Sequence, residues 1–430
     1  MKLFFVVGEN SGDHLAAGLI RELRKIQGQD LECLGVGGPR MKAAGFKELL
    51  PLDQISIIGI WEVIPKIPRL KKLFAAITEE IIKQNPEGVV TVDFPDFNFM
   101  LGKALRKRGY TGKIIHYVAP SVWAWRPGRA KSMAKFLDGV ICLFPMEPEY
   151  FTPHGIKAAF VGHPVVETNA LKAEGQVFRE ANDIPLECKT VGLFFGSRES
   201  EFKNNSSTLK LAAAMVGEHI EGARFIAPTL PSTEYNVQIL LRDFDLPIHV
   251  TSNQAFKWES FKACDVAIAV SGTVALELAY AGIPHVIIYK TNFLTYWIVR
   301  MLIKVKHIHL ANILLKKNVV PEFVQGKCKA ELIAEKVLEL FNDEKTRKAQ
   351  LAEFAELRKI VGCDQEKKPS LMAAEFVLEV LKEPGKRVAP TPLPKKQQKN
   401  AAVKKPVQKK QEPQKPKPDA RAKTSADIKE

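Results

Sequence analysis

Two carboxylates follow a short apolar run in the stretch Asp93-Phe94-Pro95-Asp96-Phe97-Asn98. The run 88–92 predicts a buried strand, and open α/β sheets bind their ligands outside the carboxyl ends of the strands. A carboxylate beside apolar phenylalanines could act there as a general base. Asp93 is the stronger candidate on position, because Asp96 could instead cap a helix that begins at Phe97.

An anion could bind at residues 8–13, which follow a predicted strand and open a predicted helix. The amides at the start of a helix suit a negative charge, and Ser11 could cap the helix. Gly12 belongs to the same loop, but the loop lacks the G-x-G-x-x-G spacing of a dinucleotide site. A purely structural turn explains the loop equally well.

Two loops further along the chain combine small residues with one charged side chain each. Gly196-Ser197-Arg198 ends a predicted strand and supplies a fixed cation suited to a diphosphate. Ser271-Gly272-Thr273 leads into a predicted helix that carries Glu277 one turn inside, where a carboxylate could accept both hydroxyls of a ribose. Ordinary capping is the alternative for each loop, and the ordered pair is harder to explain in that way.

Aromatic and basic residues are concentrated between His116 and Arg129, directly after another predicted strand. Ser121, Trp123 and Arg126 lie in this stretch. Such a loop could hold the face of a sugar and a phosphate. The same mixture of residues would suit a single-stranded nucleic acid.

Alternating strand-like and helix-like segments must position these loops. Apolar runs begin at the first residues, pause near residue 163 and start again at residue 190. This alternation predicts an α/β fold with two doubly wound, Rossmann-like halves that face a cleft. The predicted division is a first domain at 1–165, a second domain at 166–345, closing helices at 346–384 and a basic tail at 385–430.

The net charge of +15 is distributed unevenly along the 430 residues. Residues 385–430 contain 14 basic and four acidic side chains, so this tail carries +10 and the rest of the chain +5. A proline-rich tail without aromatic residues is predicted to be disordered. The six cysteines form no Cys-x-x-Cys pair, which predicts free thiols in a reducing compartment and no zinc site. No apolar run is long enough to span a membrane, so a cytoplasmic location is expected.

Two stretches mix apolar side chains, cations and a tryptophan, as segments lying on an anionic membrane surface do. They cover residues 55–74 and 292–306, and each could instead be a core helix with a basic outer face. The membrane-contact candidates are Ile58, Trp61, Val63, Ile64, Leu70, Lys71, Trp297, Arg300 and Lys304.

The ordered motifs resemble one family. The segment from Ser271 to Pro284 resembles the nucleotide-sugar segment of GT-B glycosyltransferases. The whole series is similar to the lipid-A-disaccharide synthase family over roughly residues 1–380, with only the tail outside the match. The motifs are Gly8-Glu9-x-Ser11-Gly12-Asp13, Gly38-Pro39-x-Met41, Asp93-x-Pro95-Asp96-Phe97-Asn98, the stretch from His116 to Arg126, Gly162-His163, Gly196-Ser197-Arg198 and Asn312-Ile313-Leu314 with Val320-Pro321-Glu322.

This resemblance implies a reaction. Members join UDP-2,3-diacylglucosamine to 2,3-diacylglucosamine 1-phosphate, invert the anomeric centre and release UDP, and neither a metal nor a cofactor is implied. Asp93 would be the base, with Asp96 as a less favoured substitute, and Arg198 would contact the diphosphate. Glu277 would hold the ribose. The remaining substrate-binding candidates are Ser11, Gly12, Asn98, Ser121, Trp123, Arg126, Gly196, Ser197, Ser271, Gly272, Thr273, Asn312 and Gln325.

The two substrates are membrane lipids, so the resemblance also implies docking on the inner face of the inner membrane of a Gram-negative bacterium, with the oligomeric state left open. Two alternatives remain at this point. One is another GT-B enzyme that uses UDP-N-acetylglucosamine, such as the peptidoglycan transferase or the 2-epimerase. The other is a nucleic-acid-binding protein that acts through the basic tail.

Overall fold

The computed structural model describes residues 1–52, 63–126, 128–303 and 305–383, all within one compact unit, Met1–Val388. The side chains of Asn10, Gln29 and of residues 63–70, 293–295, 298 and 299 are not described. The predicted disorder of the tail therefore lies outside the described residues, as do Ile58, Trp61 and Lys304.

The first half is a parallel sheet of seven strands in the order β3-β2-β1-β4-β5-β6-β7. Its central strands are buried along almost their whole length because helices cover both faces. The strands are β1 (Lys2–Val7), β2 (Glu32–Gly37), β3 (Lys47–Pro51), β4 (Gly88–Val92), β5 (Lys113–Tyr117), β6 (Gly139–Cys142) and β7 (Lys157–Phe160). The helices are α1 (Asn10–Gln27), α2 (Pro39–Ala43), α3 (Val63–Gln84), α4 (Pro95–Lys107) and α5 (Arg129–Met133).

The second half repeats this plan with six parallel strands in the order β10-β9-β8-β11-β12-β13. The strands are β8 (Thr190–Phe194), β9 (Arg224–Pro228), β10 (Ile248–Thr251), β11 (Val266–Val270), β12 (His285–Tyr289) and β13 (Glu322–Val324). The helices are α6 (Gly175–Ala181), α7 (Glu199–His219), α8 (Glu234–Leu240), α9 (Lys257–Lys262), α10 (Thr273–Ala281), α11 (Phe293–Leu302), α12 (Leu310–Leu315) and α13 (Ala330–Asn342). The prediction of two doubly wound α/β halves is confirmed.

Each sheet has its switch point beside its first strand, between β1 and β4 in one half and between β8 and β11 in the other. Ligands of such folds bind outside the carboxyl ends of the strands at this point. The loops after β1 and β4, and those after β8 and β11, are among those that the sequence singles out for chemistry.

Two last helices attach to different halves. Helix α14 (Glu344–Ile360) packs on the second half, where Arg358 Nε donates to the carbonyl of Tyr280 at 2.8 Å. Helix α15 (Pro369–Lys382) crosses back and packs against α1, β5 and β6 of the first half. The chain passes between the halves twice, once after β7 and once after α14. These two connections are in contact, because His163 N–H donates to the carbonyl of Val361 at 2.8 Å.

Candidate active site

A strained turn holds Asp93 at the carboxyl end of β4. Asp93 and Phe94 both have a positive φ, 51° and 47°, which is uncommon for residues with a side chain. The turn is secured because Asp93 N–H donates to Tyr117 O at 2.9 Å and Asn98 Nδ2 donates to Asp93 O at 2.7 Å. A side chain at Gly8 would lie 2.8 Å from the Phe94 ring, so glycine is required there. Strain that is so well secured is typical of functional sites.

The neighbouring candidates Asp96 and Asn98 have different surroundings. Helix α4 begins at Pro95, two residues earlier than predicted, and no side chain caps it. Asp96 is exposed, pairs with Arg129 at 2.5 Å and lies inside the helix, so the alternative of a capping role for Asp96 is wrong. Asn98 is buried and supports the backbone of Asp93, which places it behind the candidate base. Asp93 is half-buried.

The loop at residues 8–13 is tied to the loop before α2. The carboxylate of Asp13 is buried and accepts the backbone N–H groups of Gly38, Arg40 and Met41 at 3.0, 3.0 and 3.1 Å. Two motifs of the sequence are therefore one structural unit. Helix α1 begins at Asn10 with Glu9 as its N-cap residue, so the expected cap by Ser11 is wrong. Ser11 is exposed in the first turn, and Gly12 is buried close to Val7.

We call residues 118–126, which follow β5, the tryptophan loop. Val118 and Arg126, at its two ends, have φ values of 78° and 53°. Ser121 and Arg126 are exposed, and the Arg126 guanidinium lies 4.7 Å from the centre of the Trp125 ring. Trp123 is half-buried, and its indole Nε1 donates to Glu147 Oε1 at 3.2 Å. The loop therefore exposes Ser121 and Arg126, while a hydrogen bond from Trp123 attaches it to the rest of the domain.

Arg198 lies at the start of α7 in the second half. Its guanidinium Nη1 is 2.9 Å from Glu201 Oε1, and Glu201 Oε2 accepts the N–H groups of Ser197 and Arg198 at 3.2 and 3.3 Å. Gly196 has φ 89°, a conformation that favours glycine. The Arg198 side chain remains 69% exposed, so it is oriented but still open to a ligand.

The loop after β11 presents its backbone and one carboxylate. Ser271 N–H donates to the carbonyl of Ile288 at 3.0 Å, and Gly272 and Thr273 are exposed. Helix α10 begins at Thr273 with Gly272 as the N-cap residue and has no side-chain cap, so Thr273 does not cap it. Glu277 Oε1 is 2.7 Å from Lys257 Nζ, an ion pair that fixes the carboxylate.

Asn312 and Gln325 are committed to internal hydrogen bonds. Asn312 is fully buried, donates to Val320 O and Glu322 Oε1, and accepts from the amides of Val319 and Val320. Gln325 bonds the N–H and the carbonyl of Thr291 at 2.9 and 3.0 Å. Their contact with a nucleotide sugar stays a prediction, and in this conformation these atoms shape the backbone around the cleft.

Charges from the two halves meet at one cleft. Glu9 is exposed, but nearby protein atoms desolvate its carboxyl group in part, and this raises its pKa. The negative charge of Asp93 raises the pKa further, and the positive charge of Arg198 lowers it. The pKa of His14 is lowered by burial and then by Arg40, and Lys257 of the second half also lowers it. The residues after β1 and β4 therefore face Arg198 and Lys257. Glu9 has no role among the predictions from the sequence, although its position beside Gly8 in the first loop was the available signal.

The predicted membrane segments are described in part. Helix α11 exposes Trp297, Arg300, Met301 and Leu302, with Met301 76% exposed. Lys71 is exposed on α3. Val63, Ile64 and Leu70 also lie on α3, among the residues whose side chains are not described. None of the described helices meets the length and apolarity that a membrane span requires.

A family model described as lipid-A-disaccharide synthetase matches residues 3–376. The chain belongs to the lipid-A-disaccharide synthase family. A lipid-A-disaccharide synthase of Rhodospirillum centenum is 36% identical over 88% of this chain and 94% of its own length. The synthase of Paramagnetospirillum magneticum is 34% identical over 89% and 98%.

Solved structures show the same fold as this lipid-A-disaccharide synthase family member. The UDP-GlcNAc 2-epimerase of Neisseria meningitidis bound to UDP-GlcNAc has a TM-score of 0.59 at 13% identity, over 89% of this chain and 99% of its own. MurG of Acinetobacter baumannii has a TM-score of 0.51 at 12% identity, over 88% and 99%. The GT-B architecture is confirmed.

Membership of the family identifies a hexosyltransferase that uses a UDP-sugar and a lipid acceptor. It favours this function over a peptidoglycan transferase, a 2-epimerase or a nucleic-acid-binding protein. The roles of individual side chains stay predictions. No group of three potential metal ligands occurs within the part of the chain that the structure describes, and metal independence likewise stays a prediction.

Proposed function

We propose that the protein transfers 2,3-diacylglucosamine from its UDP derivative to the 6-hydroxyl of 2,3-diacylglucosamine 1-phosphate. The observation that carries this proposal is that Asp93 of the first half and Arg198 of the second half both lie close enough to Glu9 to change its pKa. Asp93 accepts the proton of the acceptor hydroxyl while its oxygen attacks the anomeric carbon. The bond from that carbon to the diphosphate breaks with inversion, and Arg198 stabilises the charge on departing UDP.

The remaining contacts divide between the halves. The exposed start of α10, at Gly272 and Thr273, offers backbone N–H groups to the nucleotide. Glu277 holds the ribose and is itself held by Lys257. The tryptophan loop, with Ser121 and Arg126 exposed, covers the sugar side of the cleft. Neither a metal nor a cofactor takes part in the proposed reaction.

We predict that UDP release depends on a diacylated acceptor. The purified full-length chain is incubated with UDP-2,3-diacylglucosamine and either 2,3-diacylglucosamine 1-phosphate or glucosamine 1-phosphate without acyl chains. UDP and a disaccharide of the summed mass are expected with the first acceptor only. Release with a lipid-linked muramyl acceptor, and none with the diacylated sugar phosphate, would contradict the proposed acceptor.

We also propose that α11 rests on an anionic membrane, as a peripheral protein on the inner face of the inner membrane would. Trp297, Met301 and Leu302 are exposed apolar side chains next to the cation of Arg300. Each cation near an anionic surface contributes about 1 kcal/mol, and a buried methionine side chain about 1.5 kcal/mol or more.

The variant Met301→Asp is therefore expected to bind phosphatidylglycerol-containing vesicles about tenfold more weakly than the wild type. The measurement is co-sedimentation with vesicles at low and physiological salt. Leu211→Asp is the matched control, because Leu211 is 54% exposed on α7, outside α11. Equal binding by the two variants would remove α11 from the docking surface.

A further inference from the structure

Glu147 is a buried carboxylate that connects the tryptophan loop to the end of β6. Its side chain is almost fully buried. Oε2 accepts the N–H groups of Leu143 and Phe144 at 2.9 and 3.1 Å, and Oε1 accepts the indole N–H of Trp123 at 3.2 Å. Three donors from two separate segments therefore converge on one side chain.

The buried negative charge of Glu147 destabilises the folded state. Within the described residues, no lysine, arginine or histidine forms an ion pair with it. The Cys142 thiol on β6 is a titratable neighbour, and its pKa is raised first by burial and then by the negative charge of Glu147. Tyr150, in the turn that follows, donates its backbone N–H to the main-chain carbonyl of Glu147 at 3.1 Å and not to the carboxylate. Because a buried charge without an opposite charge beside it destabilises a protein even when it is hydrogen-bonded, an acid at this position indicates a function.

We infer that Glu147 is a positioning residue whose carboxylate fixes Trp123 and thereby places the tryptophan loop at the cleft. This inference rests on the proposed function in one respect, because it takes the loop to contact the substrate. The strain at Val118 and Arg126 supports it, since conformations of this kind persist only where surrounding contacts hold them. Glu147 supplies such a contact in the middle of the loop.

Protonation of Glu147 should loosen this contact. An ionised carboxylate serves all three donors, whereas a protonated one turns one oxygen into a donor. Burial raises the pKa of Glu147 to about 7, above its ordinary value of 4.5. The folded state then holds the proton more tightly than the unfolded state, so this group stabilises the fold least above pH 7. Activity and stability should therefore change in opposite directions as the pH rises through 7.

The variant Glu147→Gln tests the inference. The glutamine oxygen can accept both backbone N–H groups, but its NH₂ group then faces the indole N–H of Trp123. Because both groups are donors, the hydrogen bond that holds Trp123 is lost. At pH 8 we expect kcat/KM to fall about tenfold with an unchanged or higher Tm, and the acid limb of the wild-type profile near pH 7 to disappear. Trp123→Phe should give a similar loss, and the double variant should lose no more than either single variant. Glu149→Gln, exposed two residues further on, is the matched control.

An NMR titration of the Trp123 indole N–H provides a readout apart from activity. We expect its resonance to shift with a midpoint near pH 7 in the wild type and to stay constant in Glu147→Gln. A constant resonance in the wild type, wild-type kcat/KM in Glu147→Gln, or losses that multiply in the double variant would each overturn the inference. A titrating resonance in a protein that transfers no sugar would support the contact and contradict the proposed function alone.

Discussion

The variant Asp93→Ala is expected to bind UDP as tightly as the wild type and to transfer the sugar about 10²–10⁴-fold more slowly, the range that general-base catalysis contributes. Asp93 stands at the end of β4 on a turn whose geometry is fixed by the backbone of Tyr117 and by Asn98. Removing the carboxylate leaves those contacts in place. The measurements are kcat with both lipid substrates and the dissociation constant of UDP by calorimetry.

Two other carboxylates serve as controls for this prediction. Asp96→Ala removes an exposed group that pairs with Arg129, and its loss of kcat should stay below about tenfold because surface ion pairs contribute little. Glu9→Gln removes the acid next to Asp93 in the cleft and tests whether the two share the proton. If Asp93→Ala turns over normally while either control loses activity, the base is not Asp93.

The variant Arg198→Ala should weaken UDP binding and lower kcat by about 10²–10³, the usual effect of removing one group that stabilises a developing negative charge. Its guanidinium is held by Glu201 yet 69% exposed, so a diphosphate can reach it. Arg198→Lys keeps the charge without the planar fork of donors and should recover only part of the rate. Steady-state kinetics together with UDP calorimetry separate the two effects.

Arg242→Ala is the matched control for Arg198, because Arg242 is an exposed arginine of the same half. It should leave both kcat and UDP affinity unchanged. A drop in UDP affinity at constant kcat for Arg198→Ala would show that the arginine binds substrate and transition state equally. That result would contradict the proposed role of Arg198 in stabilising the departing diphosphate.

The central strands could be predicted from the sequence, and the four edge strands could not. β1, β4, β5, β8 and β11 are buried apart from Lys2 and therefore consist mostly of apolar residues. The edge strands β3, β7, β10 and β13 are only partly buried along almost their whole length. Half-exposed strands lack the apolar run that marks a buried one.

The position of the cleft followed from the topology, but its internal contacts did not. Asp93 and Arg198 could be found because each follows a strand near the switch point of its sheet. The partners Glu147 and Lys257 lie 24 and 20 residues from Trp123 and Glu277, and no local pattern marks such a pair. Ser11, Asp96 and Thr273 do not cap their helices, because the N-cap residue lies one or two positions before each of them and none of the three helices has a side-chain cap.

Helix α15 determines when the first half can be completed. It lies against α1, β5 and β6, and a side chain at Gly88 or Gly139 would meet Leu381 or Val380 of this helix. Domains generally fold as units during synthesis, beginning with the amino-terminal one. Here the sheet that starts at Lys2 keeps an uncovered apolar face until the ribosome has made residues near 382. The second half, from β8 to α14, is synthesised in the interval, so it can fold before the half that precedes it in the chain.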